Sequence, residues 1–213
     1  MATPLHYLNS HKRPSTEAGA VLLETSRLII RRFLTTDAPS LAVALNHKEV
    51  VVQLSDRFKH PYEESDAATA VEQSFPSEHD NQFSAAYPRS VAVCIKPDTV
   101  DNSSPEPWLI GSIIAHAGTG MAYRTWSIGY ALTPEVWGKG YAAEAVTGFK
   151  DWLFDTWPRL ARVEASVYST NIASARVLLK AGFSEEGLRR ACLEKNGVLI
   201  DTRQFAILRG GDC

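Results

Sequence analysis

Apolar side chains between residues 139 and 156 fall on one helical face: Ala142, Ala145, Val146, Phe149 and Leu153, with Trp152 beside them. That spacing of three and four predicts an amphipathic helix over 139–156, stopped by Pro158. A second helical period runs over 171–181 and closes at Gly182, a residue suited to the position just past a helix end. Short β-rich runs predict strands over 27–32, 90–95, 108–115, 126–132 and 162–167. A terminal hairpin over 188–193 and 199–208 turns at Asn196-Gly197.

Two earlier helices complete the pattern. One covers 39–45, with Leu41, Ala44 and Leu45 inward; the other follows the cap candidate Ser65 through Ala67, Ala70, Val71 and Phe75 until Pro76. Residues 97–107, with three prolines, three acids and two serines, predict an exposed loop between strands. The order of elements gives an α+β (mixed α/β) class: early helices, an antiparallel meander, then a β-α-β crossover. Residues 1–20 lack periodicity and are expected to form a flexible tail ahead of a single domain over 21–210.

Composition narrows the function classes. The 213 residues carry 24 acidic and 22 basic side chains, a formal net charge of −2. Such a balance argues against a protein whose main task is to neutralise nucleic-acid phosphates, but leaves room for a local site for a small anion. No apolar run reaches the ~18–20 residues of a membrane span, and the first twenty residues do not form a secretory signal. Cys94, Cys192 and Cys213 are odd in number and far apart. They predict neither a disulfide framework nor a metal site, and a cytoplasmic location follows as the expectation.

The chemistry concentrates in one stretch, from Ile128-Gly129-Tyr130 through Pro134 and Trp137-Gly138-Lys139-Gly140-Tyr141-Ala142-Ala143-Glu144. A strand ends there, and two glycines open a helix. Glycine lets a backbone approach a ligand closely, and the free N–H groups of a helix start attract anions. A Walker A loop fails, because Thr133 stands where its first glycine belongs and Gly140 where its Ser or Thr belongs. Gly138-x-Gly140-x-x-Ala143 fits the loose dinucleotide pattern. Five residues nevertheless separate strand from glycine, and the next strand ends Val167-Tyr168-Ser169 with no acid for a ribose.

The same stretch resembles the acyl-CoA pyrophosphate loop of the GNAT superfamily of N-acetyltransferases, and more closely its RimJ/RimL-like branch. Asn171-x-x-Ser174 followed by Lys180-Ala181-Gly182-Phe183 agrees, as do Glu24-Thr25-Ser26-Arg27-Leu28 at the front and Glu186-Gly187 with Arg189 behind. The resemblance covers about 23–208. It implies a twisted, mostly antiparallel sheet flanked by helices, whose fourth and fifth strands splay apart to admit the pantetheine arm of acetyl-CoA. It assigns the backbones of Tyr130, Ala131 and Leu132 to that arm, and the N–H groups of Gly138, Lys139, Gly140, Tyr141, Ala142 and Ala143 to the pyrophosphate. Trp137 borders that loop, and Asn171 and Ser174 match positions that contact the cosubstrate or organise the site.

The chain departs from the family pattern at three places. Trp137 replaces the usual Arg or Gln, Ser127 stands where relatives often carry a carboxylate, and Leu178 stands where many carry a proton-donating tyrosine. Candidates for handling protons are therefore Ser127, Tyr168 and Asn171, with Glu164 and His116 behind them. The resemblance implies acetyl transfer from acetyl-CoA to an amine acceptor without a metal, by a monomer or homodimer. An acyl-CoA-binding module with little turnover is the alternative.

Overall fold

A computed structural model describes residues 14–56, 58–77, 86–99, 101 and 103–210. Eight strands form one sheet: β1 (Val21–Glu24), β2 (Leu28–Arg31), β3 (Ser90–Ile95), β4 (Trp108–Ala117), β5 (Thr125–Leu132), β6 (Arg162–Tyr168), β7 (Ser184–Lys195) and β8 (Val198–Leu208). Their spatial order is β1-β2-β3-β4-β5-β6-β8-β7. Every neighbouring pair is antiparallel except β5 and β6. The helices are α1 (Ala38–Leu45), α2 (Lys48–Val51), α3 (Glu64–Ser74), α4 (Tyr141–Thr156) and α5 (Ile172–Lys180).

The sheet divides the core into two layers. Alternate residues of the strands, among them Val93, Ile113, Ile128 and Val163, pack with Tyr141, Ala145, Val146, Phe149 and Leu153 of α4 and with Ala175 and Leu178 of α5. The intervening residues Ala92, Cys94 and Leu109 pack with α1, α2 and α3 on the opposite face. Trp126, fully buried, meets Tyr87 edge-on at 4.8 Å and Trp157 at 4.7 Å. This aromatic group anchors β5 where it is still joined to β6, and truncating one such ring typically costs ~3–5 kcal/mol.

Several expectations shift at their edges. The first strand is preceded by the four-residue β1, so the splayed pair, expected as fourth and fifth, is here fifth and sixth. Ser65 lies inside α3 rather than at its cap; Glu63 precedes that helix, and its N–H donates to Asp66 Oδ2 at 3.0 Å. Helix α4 begins at Tyr141, two residues later than its apolar period suggests, because Gly138 and Gly140 adopt left-handed φ values of 77° and 87°. Asn196 and Gly197 both have positive φ, as a two-residue primed hairpin turn requires. Of the expected tail, residues 1–13 lie outside the described residues. Within 14–20, Gly19 N–H donates to Phe33 O and Ser15 O accepts from Arg32 Nε.

Candidate active site

The parallel pair β5–β6 holds the key geometry. It is paired only through Thr125↔Arg162, Trp126↔Val163 and Ser127↔Glu164. Beyond that row β5 stays on β4 as far as Leu132, while β6 stays on β8 as far as Tyr168. A cleft therefore opens between Ile128–Leu132 and Ala165–Tyr168. Alternation along β5 decides which backbone groups face it. The Thr133 N–H bonds Ile110 O on β4, and the Ala131 carbonyl lies so close to Gly111 that a Cβ there would come within 2.1 Å of it. Ala131 thus turns its backbone toward β4, contrary to the role its motif position implied, whereas Tyr130 and Leu132 turn theirs into the cleft.

At the wide end of the cleft stands the glycine turn. Among the described residues, Gly138, Gly140, Tyr141, Ala142 and Ala143 have backbone N–H groups with no protein acceptor; the first helical bond of α4 runs from Glu144 N to Gly140 O. The Lys139 N–H is taken by Val136 O at 3.4 Å, so it drops out of the expected set. A Cβ on Gly138 would touch nothing within 4 Å, so space is open on that side. Five free donors, the positive end of a sixteen-residue helix and open space form a site for a phosphate-bearing ligand.

A family model described as "Acetyltransferase (GNAT) domain" matches residues 27–184, which include both the turn and the cleft. The chain belongs to the GNAT acetyltransferase family. It is 30% identical over 188 residues to an uncharacterized N-acetyltransferase of Bacillus subtilis, YoaA, covering 88% of this chain and 97% of that one. A GNAT-family acetyltransferase structure from Bacillus anthracis superposes with a TM-score of 0.70 at 24% identity, over 87% of this chain and 97% of its own. RimL, the ribosomal L7/L12 α-N-protein acetyltransferase in complex with coenzyme A, superposes at 0.68 with 16% identity, over 90% and 99%. The protein is an acetyl-CoA acyltransferase with a GNAT fold, and its glycine turn and cleft fit that cosubstrate.

The remaining motif residues of this GNAT chain divide into those at the cleft and those tied elsewhere. Tyr130 reaches across it, its hydroxyl donating to Ser174 O at 3.1 Å and sharing a 2.8 Å bond with Ser174 Oγ. Burial pushes the Tyr130 phenol up to about 12, so it stays protonated at neutral pH. Asn171 caps α5, Oδ1 accepting from Ser174 N–H at 3.0 Å. The Trp137 indole donates to Leu132 O at 2.9 Å, closing the end of the strand edge. Lys139 pairs with Asp101 at 2.7 Å, and the Tyr141 hydroxyl donates to the same carboxylate at 2.8 Å. These two bonds, Lys139 first, hold the Asp101 carboxyl below its usual range. The loop expected over 97–107 thereby touches the glycine turn, a contact no local pattern announces.

Ser127, Glu164 and His116 come together. Ser127 is opposite His116 on β4 and opposite Glu164 on β6, so the three form one row at the closed end of the cleft. Their side chains share the face of the sheet that carries α1–α3, away from α4, by the alternation that puts Trp126 and Ile128 in the α4 layer. Glu164 accepts from Arg162 Nε at 2.9 Å. Tyr168 lies on that face too, but its hydroxyl donates to Leu54 O at 2.9 Å. Lys195 Nζ donates to Val51 O at 2.9 Å and also to Leu54 O, so two donors secure the segment after α2 over this face. Leu178 is fully buried beneath the cleft and offers no proton. No helix among the described residues is long and apolar enough to cross a membrane, and no group of three His, Cys, Asp or Glu gathers there to hold a metal.

Proposed function

We propose that this enzyme transfers acetyl from acetyl-CoA directly to a primary amine in a ternary complex, within the RimJ/RimL-like branch, and that protein N-terminal α-amines or small-molecule amines are its acceptors. The observation that carries the reading is the free-donor glycine turn beside a cleft between two parallel strands. Acetyl-CoA supplies a thioester already activated for attack. The N–H groups of Gly138, Gly140, Tyr141, Ala142 and Ala143 hold its pyrophosphate, with Trp137 and Lys139 flanking. The cleft-facing backbones of Tyr130 and Leu132 align the pantetheine arm, and Asn171 and Ser174 shape the opposite wall. The row of Ser127, Glu164 and His116 faces the incoming amine on the side away from α4.

Direct transfer suits this set of groups. Holding amine and acyl carbon in line converts much of the barrier into prearranged geometry, and a strand N–H opposes the charge that grows on the acyl oxygen. The likeness to RimL, named for α-N-protein acetylation, supports an α-amine. We read 21–210 as one domain and the cytoplasm as its location.

Pure protein incubated with labelled acetyl-CoA and a panel of amines tests the proposal: peptides with free α-amines, Nα-blocked lysine peptides and small polyamines. Label is expected in at least one class, with α-amines ahead at pH 7. Tight coenzyme A binding without label in any class favours an acyl-CoA-binding module instead.

Asn171→Asp separates capping from a part in transfer. Either side chain caps a helix, so thermal stability is expected to hold. The added charge beside an anionic cosubstrate is expected to lower kcat/KM roughly tenfold. Unchanged activity assigns Asn171 to the cap alone.

A further inference from the structure

The segment Glu24-Thr25-Ser26-Arg27-Leu28 forms the turn from β1 to β2, and so far it has no part in function. In the fold it presses on the first turns of α4. Gly148 allows this approach: a Cβ there would come within 2.9 Å of the Thr25 methyl and 3.1 Å of Leu23. One carboxylate, that of Glu144, collects the turn's donors. Its Oε1 accepts from Thr25 Oγ1 at 2.5 Å, Ser26 Oγ at 3.0 Å and the Arg27 N–H at 2.9 Å. Its Oε2 takes the Arg27 Nε and Nη2, each at 2.7 Å. The third guanidinium nitrogen, Nη1, donates to Lys139 O at 3.0 Å, between the two glycines. The guanidinium lies 4.0 Å from the centre of the Tyr141 ring.

This arrangement resolves a conflict. Glu144 lies in the first turn of the helix whose free N–H groups make the anion site. An unneutralised carboxylate there opposes any pyrophosphate arriving at the same end. Burial raises the Glu144 carboxyl, but the bonds from Thr25, Arg27 and Ser26 outweigh it and hold it below its usual range, so it is charged at neutral pH. Arg27 cancels that charge and, through Lys139 O, fixes the peptide between Gly138 and Gly140.

We propose that Arg27 is a positioning residue of the cosubstrate loop: it neutralises Glu144 and braces the Lys139 carbonyl, and acyl-CoA affinity depends on that neutralisation. The inference rests on the proposed seat of acetyl-CoA at the glycine turn. Its signature is a rescue that mere bracing does not produce. Once Arg27 is gone, deleting the charge on Glu144 restores binding.

Calorimetry with coenzyme A on wild type, Arg27→Gln, Glu144→Gln and the double variant tests it, together with KM and kcat for both substrates. Arg27→Gln is expected to weaken coenzyme A on the order of 30-fold. Its acceptor KM and its kcat at saturating acetyl-CoA stay within about twofold, because uniform binding alone is lost. Glu144→Gln keeps an oxygen acceptor for the turn and leaves Arg27 cationic, so it is expected to tighten binding about threefold. The double variant is expected to recover most of the loss. Wild-type affinity in Arg27→Gln, or a double variant as weak as the single one, overturns the proposal. Should Arg27→Gln fail to fold, Glu144→Gln still decides, since weaker binding there speaks for bracing without neutralisation. Retained affinity in Gly138→Asp overturns the seat of the cosubstrate and the role of Arg27 with it, whereas lost affinity there beside wild-type affinity in Arg27→Gln overturns the role of Arg27 alone.

Discussion

Gly138→Asp is expected to weaken acetyl-CoA binding by at least about 100-fold and to abolish transfer at micromolar acetyl-CoA, because it sets a negative charge among donors that receive a pyrophosphate. The position is suited to the test. Its φ of 77° is left-handed, and Asp is among the few residues that tolerate that region. A Cβ there meets no protein atom within 4 Å, so the side chain enters ligand space rather than the core. The backbone cost is about 1 kcal/mol, a fall in Tm of roughly 2–4 °C for a chain of this size. Gly138→Asn carries the same shape and strain without the charge, and is expected to lose far less affinity. Gly140 is a poorer site for the experiment. Its Cβ would lie 3.4 Å from Arg27 Nη2, so an aspartate there competes with Glu144 for the guanidinium and mixes two effects. Equal affinities for wild type and Gly138→Asp, measured by calorimetry, remove the pyrophosphate from this turn.

What could be read from the sequence was local. Helix α4 announced itself through Ala145, Val146, Phe149 and Leu153, all now buried, and the terminal hairpin through Asn196-Gly197. The glycine turn was legible for the same reason: its donors belong to consecutive residues. Strand β1 was not legible, being four residues long and nowhere fully buried, with no alternation for a pattern to catch. Helix α2 is a single turn and equally silent. The direction of the Ala131 carbonyl depends on strand pairing, which residue types do not encode. Longer-range contacts were further out of reach. Arg27 and Glu144 each stood in a recognisable motif, yet 117 positions separate them, and only the fold joins them. Asp101 on Lys139 and Tyr168 on Leu54 are of the same kind, side chains whose partners come from other elements.

Those tertiary contacts bear on how the acceptor loses its proton. For a lysine-like amine, kcat/KM is expected to rise nearly tenfold per pH unit from about 6.5 to 9. An alkylammonium has a pKa near 10, so about one molecule in a thousand is neutral at pH 7, and only the neutral amine attacks. Among the described residues, most groups around the cleft are committed elsewhere, which leaves His116 and Ser127 as the ones to test. Leu178 is apolar, Asn171 Oδ1 is spent on a cap, and Glu164 is bonded to Arg162. Tyr168 donates its hydroxyl to Leu54 O; burial and the nearby Asp56 charge raise its pKa. Tyr130 is raised to about 12. Both shifts are upward from a phenol's ordinary 10, so neither tyrosine ionises between pH 6.5 and 9 and neither contributes to the slope. An α-amine, with a pKa nearer 8, is expected to level off about two units earlier and to be the better substrate at neutral pH. The measurement is a pair of pH–rate profiles, for a peptide α-amine and an Nα-blocked lysine, on wild type, Glu164→Gln, His116→Ala and Tyr168→Phe. A shoulder between pH 6 and 7.5 that vanishes in one variant, with a loss of ~10²–10⁴ in rate, assigns a dedicated base to that residue and overturns dependence on the neutral amine. Glu164 and His116 are the variants to compare first, because they flank Ser127 in the last row before the cleft opens.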